Sequence, residues 1–364
     1  MNQLQTRFAA FQDDMNATLI EREDEVLLAA TALVARQHIF LCGAPGTAKS
    51  MLADGLVDWM AGKVFRILLT KYTTPEELFG PISIAGLKKD EYRRIIKNTL
   101  PEATVAFVDE VWKGSSAILN TLLKILNEGV FQNNGQLIHC PLQCCIAASN
   151  EFPNPQEGGR DLAAMFDRFL IRKMVHPIAS DRGRDKLLWS DLSLSLSSSI
   201  TPAEIETAHT EALSLPWSAA AKKAFIDILK SCQSEGILPG DRRQRQSAQL
   251  CQAAAWVAGE AAVETDHLEV LAHTFWLEPE QAKKVQRAVA KIAAPASLLA
   301  TQVIEEITEI LAEVDQTEFD SVVPAMRKLK EQIEYLQNLK GAKAARVLEW
   351  VKGVRDEMSK KWAS

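Results

Sequence analysis

The stretch His38-Ile39-Phe40-Leu41-Cys42-Gly43-Ala44-Pro45-Gly46-Thr47-Ala48-Lys49-Ser50 decides the fold of this 364-residue chain. An apolar segment runs into a loop with two glycines, and a helical pattern led by Met51 and Leu52 follows. A buried strand that delivers such a loop to a helix N-terminus offers an anion free backbone N–H groups and the positive end of a dipole. Gly43 and Gly46 allow backbone conformations closed to other residues, and Ala44, Pro45, Thr47 and Ala48 complete a loop able to wrap phosphates. Lys49 can reach the outer phosphates of a nucleotide, and the Ser50 hydroxyl can hold magnesium. Ala48 departs from the general pattern, which has glycine directly before the lysine, so the companions of a nucleotide site must be sought downstream.

The first companion is Thr104-Val105-Ala106-Phe107-Val108-Asp109-Glu110, an apolar strand that ends in two acids. Acids often end strands simply to meet solvent. After a phosphate loop, they supply a magnesium partner, Asp109, and a base for an attacking water, Glu110. A second apolar strand, 144–148, ends at Ser149-Asn150, whose amide both donates and accepts. Asn150 suits a water-holding or phosphate-sensing role there, the alternative being a turn before Glu151-Phe152-Pro153. Arg168 and Arg172 lie beside the last candidate strand, and a planar guanidinium stabilises charge on a transferring phosphoryl group, on its own or a neighbouring subunit's nucleotide. A salt bridge is the other reading for each.

Pro239-Gly240-Asp241-Arg242-Arg243-Gln244-Arg245 opens a helix. Asp241 suits a cap, but three arginines in a first turn oppose the helix dipole unless an anion binds there. Arg242 is the expected nucleotide contact, with a solvated basic face as the alternative and a share for Arg243 left open.

Short β-like runs at 39–41, 65–69, 105–108, 144–148 and 169–175 alternate with helical patterns, the signature of a parallel sheet flanked by helices. Thr74-Pro75-Glu76-Glu77 is a capping box with proline at the first helical position, and Phe79-Gly80-Pro81 breaks that helix. Residues 82–100 form an added surface excursion, and Asn134-Gly135 marks a hairpin turn. After a serine-rich linker at 192–199, the capping box at Thr201-Pro202-Ala203-Glu204 starts an all-helical region. The expected division is a 1–177 α/β core, a 178–294 helical lid and a 295–364 helical tail. In the tail, Val303, Ile307, Ile310 and Val314 begin three amphipathic patterns, broken near 315–320 and at Gly341. Glu305, Glu306, Glu309 and Glu313 face Arg327, Lys328 and Lys330 if the first two pair antiparallel. The tail reads either as a bundle of its own or as a partner-docking module.

A hydrophobic share of 47% with 24% charged residues is that of a water-soluble globular chain, and no apolar run has the length of a membrane span. The net charge of -6 opposes wholesale wrapping of nucleic acid, although Lys88, Lys89, Arg93, Arg94 and Lys97 gather in the excursion. Six cysteines, several in apolar segments, read as buried thiols of a reduced compartment, so a cytoplasmic location is expected. His139-Cys140 and Cys144-Cys145 are adjacent pairs that point to opposite strand faces, which disfavours a metal cluster.

Taken in order, these motifs resemble the AAA+ ATPases, and within them the MoxR family and its RavA-like branch. The matching text is Gly43 to Ser50, Tyr72 to Glu77 with Leu78-Phe79-Gly80-Pro81, Phe107 to Lys113, Ile118 to Leu123, Ala147 to Glu151, and Asp167-Arg168. The resemblance spans about residues 15–290, and alanine before the lysine is itself similar to RavA-type members. It implies a P-loop AAA+ core that binds ATP and Mg2+ through Lys49, Ser50 and Asp109. It also implies Glu110 as catalytic glutamate, Asn150 as first sensor, Arg168 as the finger given to a neighbour and Arg242 as second sensor. Such proteins form homo-oligomeric, typically hexameric, rings that remodel or mature a protein client, often with a von Willebrand factor A domain partner. The rival expectation is a nucleic-acid-directed ring motor; a nucleotide-bound scaffold without turnover is disfavoured by the intact Asp109 and Glu110. The resemblance does not extend to the tail.

Overall fold

The chain is described by a computed structural model over residues 2–153, 155–293, 295, 299, 303–304, 306–308, 310–311, 319–339 and 342–363. After α1 (Gln3–Thr18) and α2 (Glu23–Ala35), β1 (Ile39–Cys42) leads into α3 (Lys49–Trp59), followed by β2 (Val64–Leu68), α4 (Pro75–Phe79) and α5 (Ile84–Leu87). Then come β3 (Val105–Asp109), α6 (Ser116–Glu128), the hairpin β4 (Val130–Asn133) and β5 (Gln136–His139), β6 (Cys144–Ser149), α7 (Pro155–Arg168) and β7 (Ile171–Met174). Five strands make one parallel sheet in the order β2-β3-β6-β1-β7. β1 and β6, in the middle, are buried along their whole length, which is why their sequences are unbroken apolar runs. β2, at the edge, is buried only at Phe65, and Leu68 is exposed.

Each expected strand is present with ends shifted by one or two residues. The last is the most shortened, because the Phe169 carbonyl accepts from Arg172 Nε at 3.1 Å before ladder pairing with β1 begins at Ile171. The capping boxes at Thr74 and Thr201 both form, each followed by proline in the first turn. Gly80 ends α4 at φ +88°, where an added Cβ would lie 1.9 Å from the Ile95 carbonyl oxygen. Asn134 and Gly135 both take positive φ and turn β4 back on β5. The excursion is held as a loop by an Ile82–Arg94 bridge and by Asn133, whose Oδ1 accepts from Arg94 N at 2.7 Å.

α8 (Asp181–Trp189) is followed by α9 (Pro202–Ser214), α10 (Ala219–Ser234), α11 (Asp241–Val257) and α12 (Pro279–Ala293), with 3-10 turns at Thr265–His273. The serine-rich linker lies along the core: Trp59 Nε1 donates to Ser198 Oγ at 3.1 Å, and Ile200 bridges Met60. Core and lid are stitched by α1, where Phe8 meets Trp59 edge-on at 4.9 Å and Trp256 at 5.2 Å. One apolar cluster therefore runs from Phe8 to Ala293. Three rings with a combined burial of this kind contribute roughly 1 kcal/mol per pair beyond their area.

The tail keeps a separate apolar cluster, including Val303, Ile307, Leu329, Leu336 and Val351. Its helices Phe319–Gln337 and Ala342–Ala363 pack on each other. Between the first and second helical patterns, Gln332 Nε2 donates to Glu306 Oε2 at 2.9 Å. Glu305, Glu309, Glu313, Val314 and Gly341, part of the expected pattern, lie outside the described residues.

Candidate active site

The glycine at the end of β1 is dictated by crowding. Gly43 N donates to the Ser149 carbonyl at 3.2 Å, and a Cβ on Gly43 would lie 2.2 Å from the Val175 carbonyl oxygen. The loop then turns through Gly46 at φ +77°, with Thr47 Oγ1 donating to the Ala44 carbonyl at 2.8 Å. Ala48 caps α3 in the left-handed region, φ 65° and ψ 21°. For an L-residue that conformation costs about 1–2 kcal/mol, a strain that glycine at the same place would not carry.

Lys49 opens α3 and turns its ammonium back into the loop. Its Nζ donates to the Gly43 carbonyl at 2.7 Å, the Ala44 carbonyl at 3.0 Å and Asn150 Oδ1 at 3.2 Å. Burial lowers its pKa, opposed by the negative charges of Asp109 and Glu110. The next residue reaches across the sheet: Ser50 Oγ donates to Asp109 Oδ2 at 3.1 Å. Asp109 Oδ1 in turn accepts from Glu110 N at 2.9 Å. Glu110 leaves β3 in the left-handed region at φ 50°, and Asn150 Nδ2 donates to its Oε1 at 2.7 Å. Glu110 Oε2 is buried and has no protein partner.

The sheet order explains why these groups meet. β3, β6 and β1 are neighbours and parallel, so Glu110, Asn150 and the phosphate loop all emerge from the same edge, the carboxyl end of the strands. A hydroxyl and a carboxylate 3.1 Å apart fit a hard divalent cation that takes most of its remaining ligands from phosphate and water. Among the described residues no group of three or more His, Cys, Asp and Glu could hold a metal by itself. The six cysteines are buried and unpaired; burial pushes Cys42 up to about 11 and Cys144 to about 12, so both stay protonated near neutral pH.

Arg22 belongs to the site without any signal in its own segment. Its Nε donates to the Thr47 carbonyl at 3.1 Å and its Nη2 to the His176 carbonyl at 2.6 Å, tying the phosphate loop to the chain beyond β7. A cavity of about 470 Å³ opens beside it, lined in part by Glu21, Lys173, His176 and Pro177.

The expected arginines stand elsewhere. Arg168 precedes β7, at the amino edge of the sheet, opposite the phosphate loop. Arg242 Nη1 donates to Asn127 Oδ1 at 2.9 Å, and the adjacent Leu126 carbonyl meets His38, just before β1, so Arg242 lies at that edge too. Arg242, the expected nucleotide contact, therefore stands away from the phosphate loop of its own chain. Asp241 is not the cap either: Gly240 is, without a side-chain bond. The basic first turn is tolerated because Arg243 turns inward, where its Nη1 donates to the Leu170 carbonyl at 3.1 Å and the Thr274 carbonyl at 2.8 Å. Arg172, fully buried, is spent on the Phe166, Phe169 and Trp276 carbonyls, which removes it from phosphate chemistry. In the excursion, Arg94 is occupied by Glu76 at 3.0 Å and the Gly80 carbonyl at 2.8 Å, which thins the basic cluster expected there.

Comparison with known proteins matches residues 6–214 to the family model "MoxR domain in the MoxR-vWA-beta-propeller ternary systems" and residues 222–289 to an AAA lid domain. An uncharacterised protein of Methanocaldococcus jannaschii is 33% identical over 312 residues, covering 85% of this chain and 82% of that one. A second from the same organism is 31% identical over 339 residues, covering 92% and 82%. A solved structure of a candidate ATPase from Cytophaga hutchinsonii superposes with a TM-score of 0.62 at 17% identity, covering 79% of this chain and 94% of that one, a likeness of fold. No helix among the described residues is long and apolar enough to cross a membrane.

Proposed function

Because the chain belongs to the MoxR family of AAA+ ATPases, we propose that it hydrolyses ATP with magnesium at the Lys49–Asn150–Glu110 centre, in a ring whose neighbouring copies complete one another's sites. The observation that carries this reading is the continuous polar chain from the phosphate-loop lysine through Asn150 to a glutamate whose second oxygen has no protein partner. Backbone N–H groups of residues 46–50 cradle the phosphates, and Lys49 exchanges the Gly43 and Ala44 carbonyls for phosphate oxygens. Ser50 and Asp109 would hold magnesium, which would supply charge neutralisation on the phosphates. Glu110 accepts a proton from the water that attacks the terminal phosphorus, the bond to the bridging oxygen breaks, and ADP leaves with that electron pair. Asn150 holds Glu110 in place through its amide donor.

The positions of two arginines support the ring. Arg168 and Arg242 lie at the edge of the sheet opposite their own phosphate loop, so they serve catalysis only on an adjacent copy's nucleotide. Ala48 before Lys49 supports placing the chain in the RavA-like branch. The work of the ring is remodelling or maturation of a protein client; a von Willebrand factor A domain partner fits the description of the matching family model, and the six unpaired thiols fit the cytoplasm. Hydrolysis in Glu110→Gln is the test: ATP binding should persist while phosphate release stops, and normal turnover would overturn the assignment. Salt-sensitive stimulation of turnover by DNA or RNA would replace the protein client with a nucleic-acid track.

A further inference from the structure

The segment that carries Arg168 is held by arginines from both domains. From the lid, Arg243 Nη2 donates to Asp167 Oδ1 at 2.9 Å and to the Asp167 carbonyl at 2.7 Å, while its Nη1 takes the Leu170 carbonyl. From the core, Arg172 donates to the Phe166 carbonyl at 3.0 Å and to the lid's Trp276 carbonyl, with its guanidinium 4.1 Å from the Phe166 ring centroid. Both arginines are almost wholly buried, and each crosses from one domain to the other. Their bonds bracket Arg168 at positions 166, 167, 169 and 170, so the backbone on both sides of this half-buried side chain is fixed.

Charge in this turn is uneven. Asp167 alone faces three guanidinium groups, with Arg243 at 2.9 Å, Arg168 at 3.7 Å and Arg172 at 3.8 Å. Arg168 Nε is buried without a partner. A single carboxylate shared this way is claimed most closely by the lid arginine, and Arg168 keeps the more distant ion pair with it.

We infer that Arg243 is a positioning residue for catalysis: by gripping Asp167 and Leu170 it fixes the turn that presents Arg168, and so makes the reach of Arg168 depend on how the lid sits on the core. This inference rests on the ATPase reading above. A planar fork that serves five acceptors, the Phe169 carbonyl at 3.5 Å included, cannot be replaced by an ammonium without losing some of them. Because misplacing a catalytic group by about 1 Å costs on the order of 100-fold in rate, the effect falls on turnover while ATP still binds.

The experiment is a double-mutant cycle on the full chain with Mg-ATP, using Arg243→Lys and Arg168→Ala singly and together, with melting curves to confirm folding. Arg243→Lys should lower kcat on the order of 10- to 100-fold with KM held within about 2-fold, and should cause no further loss in the Arg168→Ala background. An equal further loss in that background, a rise in KM matching the fall in kcat, or an Arg168→Ala protein of unchanged rate would overturn the inference. Asp167→Ala serves if Arg243→Lys does not fold; it removes the gripped side chain and should show the same dependence on Arg168. Glu110→Gln, run alongside, separates the two claims: if it stops turnover while Arg243→Lys leaves kcat unchanged, the positioning role fails alone. Normal turnover in Glu110→Gln would instead remove the ATPase reading and the positioning role with it.

Discussion

The side-chain amide of Asn150 donates to Glu110 Oε1 at 2.7 Å, joining the ends of two neighbouring strands that are 40 residues apart in sequence. Its other atom, Oδ1, accepts from Lys49, so one amide fixes the relative positions of the glutamate and the phosphate-loop lysine.

Asn150→Ala should therefore lower kcat by about 100- to 1,000-fold, the usual loss for a preorganised donor, with a much smaller change in KM. Steady-state phosphate release measured against ATP concentration checks this. A loss confined to KM would mean that Asn150 serves binding only.

Ala48 stores strain that its small side chain keeps modest. Ala48→Gly should be tolerated, with stability changed by less than about 1 kcal/mol, since relief of the left-handed strain is offset by the freer unfolded chain. Ala48→Val should lose about 2 kcal/mol, because a β-branched residue at positive φ is a genuine outlier. Denaturant unfolding of the two variants gives both numbers.

Gly43→Ala brings a Cβ against the backbone oxygen of Val175 at 2.2 Å, a group that cannot rotate away. The strand must shift, at a cost of about 1–3 kcal/mol, and the phosphate loop shifts with it. Lower melting temperature together with weaker binding of a fluorescent nucleotide is the expected pair of results; unchanged nucleotide affinity would contradict the geometry.

His38 makes stability depend on pH. Its Nδ1 accepts from Cys145 N at 3.1 Å, which leaves the Nε2 proton for the Leu126 carbonyl at 3.1 Å, and burial lowers its pKa from 6.5 to about 4. Between those values the unfolded chain binds a proton that the folded one does not, so stability is full above about 6.5 and falls as pH drops toward 4. The loss attributable to this group is up to about 3 kcal/mol. Urea unfolding across that range should show the fall, and His38→Asn should flatten it; an equal slope in the variant would assign the effect to other groups.

Much of the site could be read from residues alone, since Gly43 to Ser50, Asp109-Glu110 and Asn150 each end an apolar strand, and such strands in a parallel sheet deliver their ends to one edge. Turn and cap chemistry was equally local: Asn134-Gly135, Thr74 to Glu77 and Thr201 to Glu204 form as their side chains dictate. Arg22 was invisible because nothing near it in sequence announces that its guanidinium will meet Thr47 and His176.

By itself the sequence determined the nucleotide-site parts, the alternation that makes a parallel sheet and the all-helical lid, because these follow from backbone propensity, periodicity and the reach of short side chains. Which arginine does what was decided only by tertiary structure. Arg168, Arg172, Arg242 and Arg243 are alike as sequence, yet two are buried between core and lid, one meets Asn127 and one is presented at the far edge of the sheet. The difference is set by long-range docking of α11 and the segment up to Trp276 against the turn before β7, where buried carbonyls claim the guanidinium groups that fall among them, and no local pattern encodes that docking.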